Sequence, residues 1–191
     1  MNTLSDHQQV TDVIAYLREL FASQGDQEYL GEQVSMATHM LQAAMFAEQH
    51  GAPDTEIAAA LLHDVGHFTN TLDAAVAQHG QDAYHEDAGA EFLSHFFAPE
   101  VVEPVRQHVA TKRYLCAVDP DYFGRLSLAS VRTLELQGGP MDADEVSDFE
   151  RNPHLQACIR VRQWDEAGKD PELPHPDLEH FLPLLQRLVI R

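Results

Sequence analysis

Residues 58–68, AAALLHDVGHF, place three titratable side chains inside an apolar run. A histidine and an aspartate are adjacent at His63 and Asp64, and a second histidine follows at His67. Burying such groups costs free energy unless a hydrogen-bond partner or a metal ion satisfies them. The stretch therefore predicts a polar site inside a hydrophobic core, with partners supplied by other parts of the chain.

The composition is that of one globular domain. The chain has 191 residues, of which 44% are hydrophobic, enough to bury a sizeable core. No linker or repeat divides it, so we expect a single domain over residues 1–191. The formal net charge of −19 repels phosphate backbones, and we expect no nucleic-acid partner.

The sequence also lacks the signals that direct a chain into or across a membrane. It contains no apolar run of 18 or more residues, and its first 25 residues lack a basic start followed by an apolar block. Two cysteines, Cys116 and Cys158, have no spacing typical of a metal site. We therefore expect reduced thiols, no membrane contact and a cytoplasmic location.

Hydrophobic spacing along the chain is typical of helices, and no segment shows sustained alternation of period two. The sequence therefore predicts an all-α fold. A loop is expected over 69–84. Helices are predicted over 4–23, 34–49, 55–66, 85–97, 100–115, 125–137, 142–149, 154–167 and 177–190.

Six histidines and aspartates lie in or at the ends of these helices, among apolar or small neighbours. Neutral imidazole and carboxylate are good ligands for first-row transition metals. Six ligands exceed what one ion takes from a protein, and they suit two ions bridged by a carboxylate in the core of a helical bundle. Asp64 is the natural bridge, because its neighbour His63 can bind one of the two ions. The set is His39, His63, Asp64, His85, His108 and Asp165.

The order H…HD…H…H…D resembles the HD-domain superfamily. Most members with this architecture are metal-dependent phosphohydrolases, and a smaller branch uses a pair of iron ions to activate dioxygen. Over roughly residues 10–170 the chain resembles the PhnZ-type phosphonate oxygenases of that branch. The resemblance rests on EYLGE (28–32), AALLHDVGH (59–67), HEDAGAEFL (85–93), HVATKRYL (108–115), LASVRTLELQGGPMD (128–142) and RVRQWDEAGK (160–169).

This resemblance implies an HD-domain helical bundle with a dinuclear site in its core. One iron would be held by His39, His63, Asp64 and Asp165, and the other by Asp64, His85 and His108. The pair would be mixed-valent Fe(II)/Fe(III), with dioxygen as cosubstrate.

The resemblance also implies roles for residues beside the metals. Tyr29 would occupy an iron site until substrate displaces it. Glu32 would hold the tyrosine loop or the cationic end of the substrate. The residues implied around the phosphonate are His67, Lys112, Ser130 and Arg162.

Spacing supports two of these assignments independently of the resemblance. Lys112 follows His108 by four residues and Arg162 precedes Asp165 by three, so each cation shares a helix face with a ligand. Two cations beside a metal pair make an anion pocket in an otherwise acidic protein.

The implied reaction is oxidative cleavage of the C–P bond of a 1-hydroxyphosphonate that carries a cation on carbon 2. An amino substituent would yield glycine and phosphate, and a trimethylammonio substituent would yield glycine betaine and phosphate. The sequence leaves both substrates open. Two alternatives remain: an HD phosphohydrolase that needs no redox metal, and a sensor that binds a ligand without turnover.

Overall fold

The structure, a computed structural model, describes residues 10, 12–29, 31–69 and 84–190. These residues form ten α-helices and one 3-10 helix, and within them extended pairing is limited to two isolated bridges. The all-α prediction is confirmed. The helices are α1 (Val13–Gln24), α2 (Met36–Gln49), α3 (Asp54–Leu62), α4 (Gly66–Thr69), α5 (His85–Ser94), α6 (Pro99–Val118), α7 (Leu128–Leu136), α8 (Ala143–Phe149), α9 (Leu155–Ala167) and α10 (Leu178–Leu188), with the 3-10 helix at Phe123–Arg125.

Capping residues set where several helices begin, and they explain why the periodicity placed some starts too early. Asp12, Ser35 and Ser127 each accept a backbone N–H three residues ahead, so α1, α2 and α7 begin directly after them. The predicted starts at 34 and 125 are therefore too early, and residues 10 and 12, which the first predicted helix included, are not helical. Residues 4–9 and 11 of the first predicted helix lie outside the described residues, as do residues 70–83 of the predicted loop.

The predicted helix over 55–66 is two helices separated by a turn. α3 ends at Leu62, a turn occupies 63–65, and α4 begins at Gly66. The reason is tertiary packing, because Gly66 lies against the backbone at the start of α5. The His63-Asp64 doublet therefore lies at the end of a helix and in the turn that follows it, where both side chains face the bundle interior.

The helices that carry the predicted ligands pack directly on one another. α9 contacts α6, α2 and α3, while α5 contacts α6 and α4. Leu61, Leu62 and Met40 are fully buried beside the polar site, and Trp164 is also buried. The polar side chains are thus enclosed by the main hydrophobic core. Cys116 and Cys158 are both free thiols, and no helix in the described part of the chain has the length and apolar character to cross a membrane.

Candidate active site

Two pairs of histidines face each other through their Nε2 atoms in the centre of the bundle. His39 Nε2 lies 2.9 Å from His63 Nε2, and His85 Nε2 lies 3.0 Å from His108 Nε2. All four rings are buried. The fold thus brings together histidines that are 24 residues apart in the first pair and 23 in the second.

Backbone carbonyls fix the tautomer of three of these rings. In His39, His63 and His108, the Nδ1 atom lies 2.7–2.8 Å from a carbonyl oxygen and donates a hydrogen bond to it. The acceptors are the carbonyls of Gly168, Ala60 and Val105, respectively. In the neutral ring this leaves a lone pair on Nε2, directed into the site, as a metal ligand requires.

Asp64 lies between the two histidine pairs with one carboxylate oxygen directed to each. Its Oδ2 is 3.5 Å from His39 Nε2 and 3.3 Å from His63 Nε2. Its Oδ1 is 3.3 Å from the Nε2 atoms of both His85 and His108. Asp165 completes the first pair, with Oδ1 3.4 Å from His39 Nε2. The six predicted ligands therefore converge, and Asp64 has the position of a bridge.

These distances fit metal ions. Two ligands about 2.1 Å from one ion and at right angles to each other lie about 3 Å apart, which matches both histidine pairs. Two lone pairs at that distance repel unless a cation lies between them. Asp64 Oδ2 and Asp165 Oδ1 are also buried oxygen atoms without a hydrogen-bond donor among the described residues. The donor set therefore fits two cations with nitrogen and oxygen ligands.

The pKa shifts show how strongly the site attracts positive charge. Burial lowers the pKa of His63, but attraction to Asp64 and Asp165 outweighs burial and raises it to about 9. Burial alone would raise the pKa values of Asp64 and Asp165. Neighbouring histidines nevertheless hold the pKa of Asp64 well below its usual range, and Arg162 holds that of Asp165 well below its usual range. Burial, followed by repulsion from His67, lowers the pKa of His85 to about 3. A proton at His63 takes the place of a cation in the first pair.

Tyr29 covers the first histidine pair. Its ring stacks on that of His39 with the centroids 3.9 Å apart, and its side chain is buried. Burial, together with the charges of Asp64 and Asp165, raises the pKa of the phenol well above its usual value. The loop that carries it turns back on itself, because Tyr29 N–H donates to the carbonyl of Val34.

Glu32 fastens this loop to the start of α7. Its Oε1 accepts a 2.5 Å hydrogen bond from Ser127 Oγ and lies 3.7 Å from Lys169 Nζ. Of the two roles that the resemblance left open for Glu32, these contacts are those of a loop anchor.

Lys112 is a buried cation beside the ligands. Lys112 is only 3% exposed, and its Nζ donates to Thr133 Oγ1 at 2.8 Å. Burial and then repulsion from Arg162 lower its pKa to about 7. A buried amine with a pKa near 7 is only partly protonated at neutral pH. It gains a proton readily when an anion binds beside it.

Arg162 is also buried, but each nitrogen of its guanidinium group already has an acceptor in the protein. One terminal nitrogen donates to Asp165, the other to Glu166, and Nε donates to the hydroxyl of Tyr122 at 2.8 Å. Arg162 therefore positions a predicted metal ligand directly, although it also lines the pocket where the phosphonate is expected.

Ser130 belongs to a network that the sequence did not reveal. Its hydroxyl donates to Glu166 Oε2 at 3.1 Å and accepts from Lys169 Nζ at 2.8 Å. Lys169 also forms a 3.0 Å ion pair with Glu166. The spacing of Glu166 and Lys169 is that of an ordinary surface pair on a helix, so only their contacts across the chain identify them.

His67 lies on α4 next to the second histidine pair. Its ring stacks on that of His85 with the centroids 4.0 Å apart, and its Nε2 is 3.9 Å from Asp64 Oδ1. This position is within reach of the second ion or of an anion bound to it.

A pocket opens beside Asp64 and the second histidine pair. Asp64, His85 and His108 form one part of its lining, and the cations Lys112, Arg162 and Lys169 form another. An anion in this pocket would lie between the second histidine pair and a cationic wall.

Comparison with known proteins identifies the family to which the chain belongs. Residues 36–137 match the HD domain family. The chain is 52% identical over 178 residues to a [1-hydroxy-2-(trimethylamino)ethyl]phosphonate dioxygenase (glycine-betaine-forming) of Leisingera caerulea, covering 93% of this chain and 91% of the relative. It is 42% identical over 171 residues to a hydroxymethylphosphonate dioxygenase of Gimesia maris, covering 88% and 84%.

The family resemblance expected from the sequence is thus confirmed. The HD domain match contains five of the six predicted ligands, and the alignments with the two relatives cover most of each chain. The chain belongs to the HD-domain family and, within it, to the hydroxyphosphonate dioxygenases that these relatives represent.

Proposed function

We propose that this protein is a diiron oxygenase that cleaves the C–P bond of 1-hydroxy-2-(trimethylammonio)ethylphosphonate. The observation that carries the proposal is the position of Asp64, whose two oxygens face separate histidine pairs beside a cation-lined pocket. The relative at 52% identity supports the trimethylammonio substituent over the amino one.

The reaction converts the hydroxyphosphonate and one dioxygen molecule into glycine betaine, hydrogen phosphate and a proton. The C–P bond and the C–H bond at carbon 1 break, and carbon 1 becomes a carboxylate. Dioxygen is reduced and both of its atoms enter the products, so no external reductant is consumed.

Two iron ions would be held by the six converging ligands. The first pair with Asp64 and Asp165 supplies one set, and the second pair with Asp64 supplies the other. Nitrogen and oxygen donors of this kind suit iron, and a mixed-valent Fe(II)/Fe(III) pair would supply dioxygen activation, chemistry that side chains alone do not perform.

The chain's own residues bind and orient the phosphonate. Lys112 and Lys169 neutralise its charge, and the Ser130 hydroxyl turns from Glu166 to a phosphonate oxygen. His67 is placed to donate to the same group beside the second ion. Arg162 holds Asp165 in its position as a ligand.

Tyr29 and Glu32 control access to the site. The tyrosine ring covers His39 and excludes water from the first histidine pair. The Glu32 contact with Ser127 holds the tyrosine loop against α7.

The test is turnover by the iron-loaded protein with the trimethylammonio substrate, under air and under nitrogen. We expect phosphate and glycine betaine in equal amounts, only when dioxygen is present, with one dioxygen consumed per phosphate. 2-Amino-1-hydroxyethylphosphonate and hydroxymethylphosphonate, assayed in parallel, show which substituent the site prefers.

Two results would overturn the proposal. Phosphate release from a phosphomonoester under nitrogen with Mn²⁺ would assign the protein to the HD phosphohydrolases. Saturable phosphonate binding without turnover, in protein that contains two irons, would assign it to the sensors.

A further inference from the structure

The hydrogen bond that orients the ring of His39 differs from those that orient His63 and His108. His63 and His108 each donate to a carbonyl three residues earlier in the chain, so the acceptor comes with the local backbone. His39 donates instead to Gly168, which is 129 residues away. The orientation of this ligand therefore depends on how the segment after α9 packs against α2.

The Gly168 carbonyl lies where the chain leaves α9. The N–H of Gly168 donates to the carbonyls of Trp164 and Asp165, which fixes the side of the residue that faces the helix. The carbonyl oxygen belongs to the planar peptide unit shared with the next residue, so its direction follows the path of residues 169 and 170. The acceptor of His39 is therefore in place only if that part of the chain is held.

Gln42 holds this part of the chain against α2. It follows His39 by three residues, so both side chains lie on one face of the helix. Its Nε2 donates to the carbonyls of Asp170 at 2.6 Å and Leu173 at 3.0 Å, and its Oε1 accepts from the N–H of Asp170 at 3.2 Å. Both amide donors and the oxygen are thus engaged, and this pattern fixes which way the amide is turned.

The burial of Gln42 makes these contacts costly to lose. The residue is completely buried, as is His39. An apolar side chain in its place could bind neither the carbonyls nor the N–H, so the segment would lose three hydrogen bonds to α2. The sequence did not reveal this role, because the carbonyls that Gln42 binds are 128 and 131 residues away.

The same segment approaches the backbone of α2 closely. A Cβ on Gly168 would lie 2.9 Å from the His39 carbonyl oxygen and 3.0 Å from the backbone nitrogen of Ala43. Even a methyl group at this position would push the segment away from the helix. Gln42 and Gly168 thus maintain one contact by different means, the first by hydrogen bonds and the second by close approach.

We infer that Gln42 is a positioning residue of the first metal site, which holds the Gly168 carbonyl against His39 so that Nε2 of this ring is directed to the metal ion. The inference rests on the metal ligands of the proposed function and not on its substrate. A group that hydrogen-bonds a metal-bound histidine fixes the orientation of the ring, and its removal typically weakens metal binding by about 10–100-fold. Because Gln42 acts through the carbonyl, we expect an effect at the lower end, about tenfold.

The first test follows the Nδ1–H protons of the histidines by ¹⁵N NMR in the zinc-loaded protein. In Gln42→Met, the Nδ1–H of His39 should exchange with solvent about tenfold faster, because its acceptor is no longer held. Exchange at His63 and His108 should be unchanged, since their acceptors are local.

Two further variants accompany this measurement. Gly168→Ala disturbs the same contact without changing the glutamine, and it should produce the same selective effect at His39. Gln49→Met makes the same chemical change at an exposed position of α2, and it should match the unmodified protein.

The second test measures Zn²⁺ affinity in two chains that each keep one histidine pair. His85→Ala and His108→Ala together keep only the first pair, and in this chain Gln42→Met should weaken zinc binding by about tenfold. His39→Ala and His63→Ala together keep only the second pair, and there Gln42→Met should have no effect.

Unchanged exchange at His39 in Gln42→Met, or equal acceleration at all three histidines, would overturn the inference. Zinc binding that weakens equally in the two chains, or in neither, would also overturn it. Such results would leave the proposed function standing, because that function fails only if the unmodified iron-loaded protein converts no hydroxyphosphonate.

Discussion

Gly66 lies directly against His85: a Cβ on Gly66 would be 1.8 Å from the His85 carbonyl oxygen and 2.9 Å from the backbone nitrogen of Gly89. This contact joins α4 to the start of α5 and so brings a histidine from a different part of the chain to Asp64. Backbone atoms cannot move aside as the end of a flexible side chain can, so the contact permits only glycine.

Gly66→Ala should therefore separate α4 from α5 and weaken the second metal site. We expect a loss of about 1–3 kcal/mol in the free energy of unfolding, as for overpacked cores, with the iron content falling toward one per chain. Thermal unfolding and metal analysis measure the two effects. Gly124→Ala is the control, because a Cβ there meets no atom within 4 Å. Unchanged iron content in Gly66→Ala would contradict the expectation.

Asp64 lies between both histidine pairs, whereas Asp165 lies beside only the first. We therefore expect substitutions of the two aspartates to lower the metal content by different amounts. Asp64→Asn removes a charged oxygen from both sites, so we expect the occupancy of both sites to fall. Asp165→Asn removes an oxygen only from the first pair, so about one ion should remain. Metal analysis after dialysis distinguishes them. Two ions retained by Asp64→Asn would exclude the bridge.

The convergence of these six side chains could be predicted from the sequence because it depends on spacing along the chain. An adjacent His63 and Asp64 in an apolar run, with further histidines at helical positions, implies convergence whatever the detailed packing. The prediction that one helix covers 55–66 failed because the contact of Gly66 with α5 is tertiary. Periodicity within one segment does not report such a contact.

The sequence did not predict the carboxylate and the lysine that contact Ser130, and the reason is related. Glu166 and Lys169 act on Ser130, which is 36 and 39 residues away. Lys169 follows Gly168, where α9 has already ended, so its direction depends on the path of the chain after the helix.

The depressed pKa of Lys112 predicts proton uptake when a phosphonate binds. The pKa of this amine is about 7, lowered mainly by burial, so at pH 8 most of the side chain is neutral. A bound anion raises that pKa and draws in a proton from solvent. Calorimetry in buffers with different ionisation enthalpies should show uptake approaching one proton at pH 8 and much less at pH 6. Lys112→Arg is the control, since arginine stays charged, and equal uptake in this variant would assign the proton to another group.

The raised pKa of His63 predicts that metal ions and protons compete for the first histidine pair. In the metal-free protein this pKa is about 9, because Asp64 and Asp165 outweigh the effect of burial. Below that pH the ring carries a proton that must leave before its Nε2 can bind a metal. Apparent affinity should therefore rise with pH and level off above about 9. At pH 8, saturating the protein with redox-inactive Zn²⁺ should release about one more proton than saturating His63→Asn. Titration in weakly buffered solution with a pH indicator measures the difference, and equal release from the two proteins would show that His63 is already neutral before the metal binds.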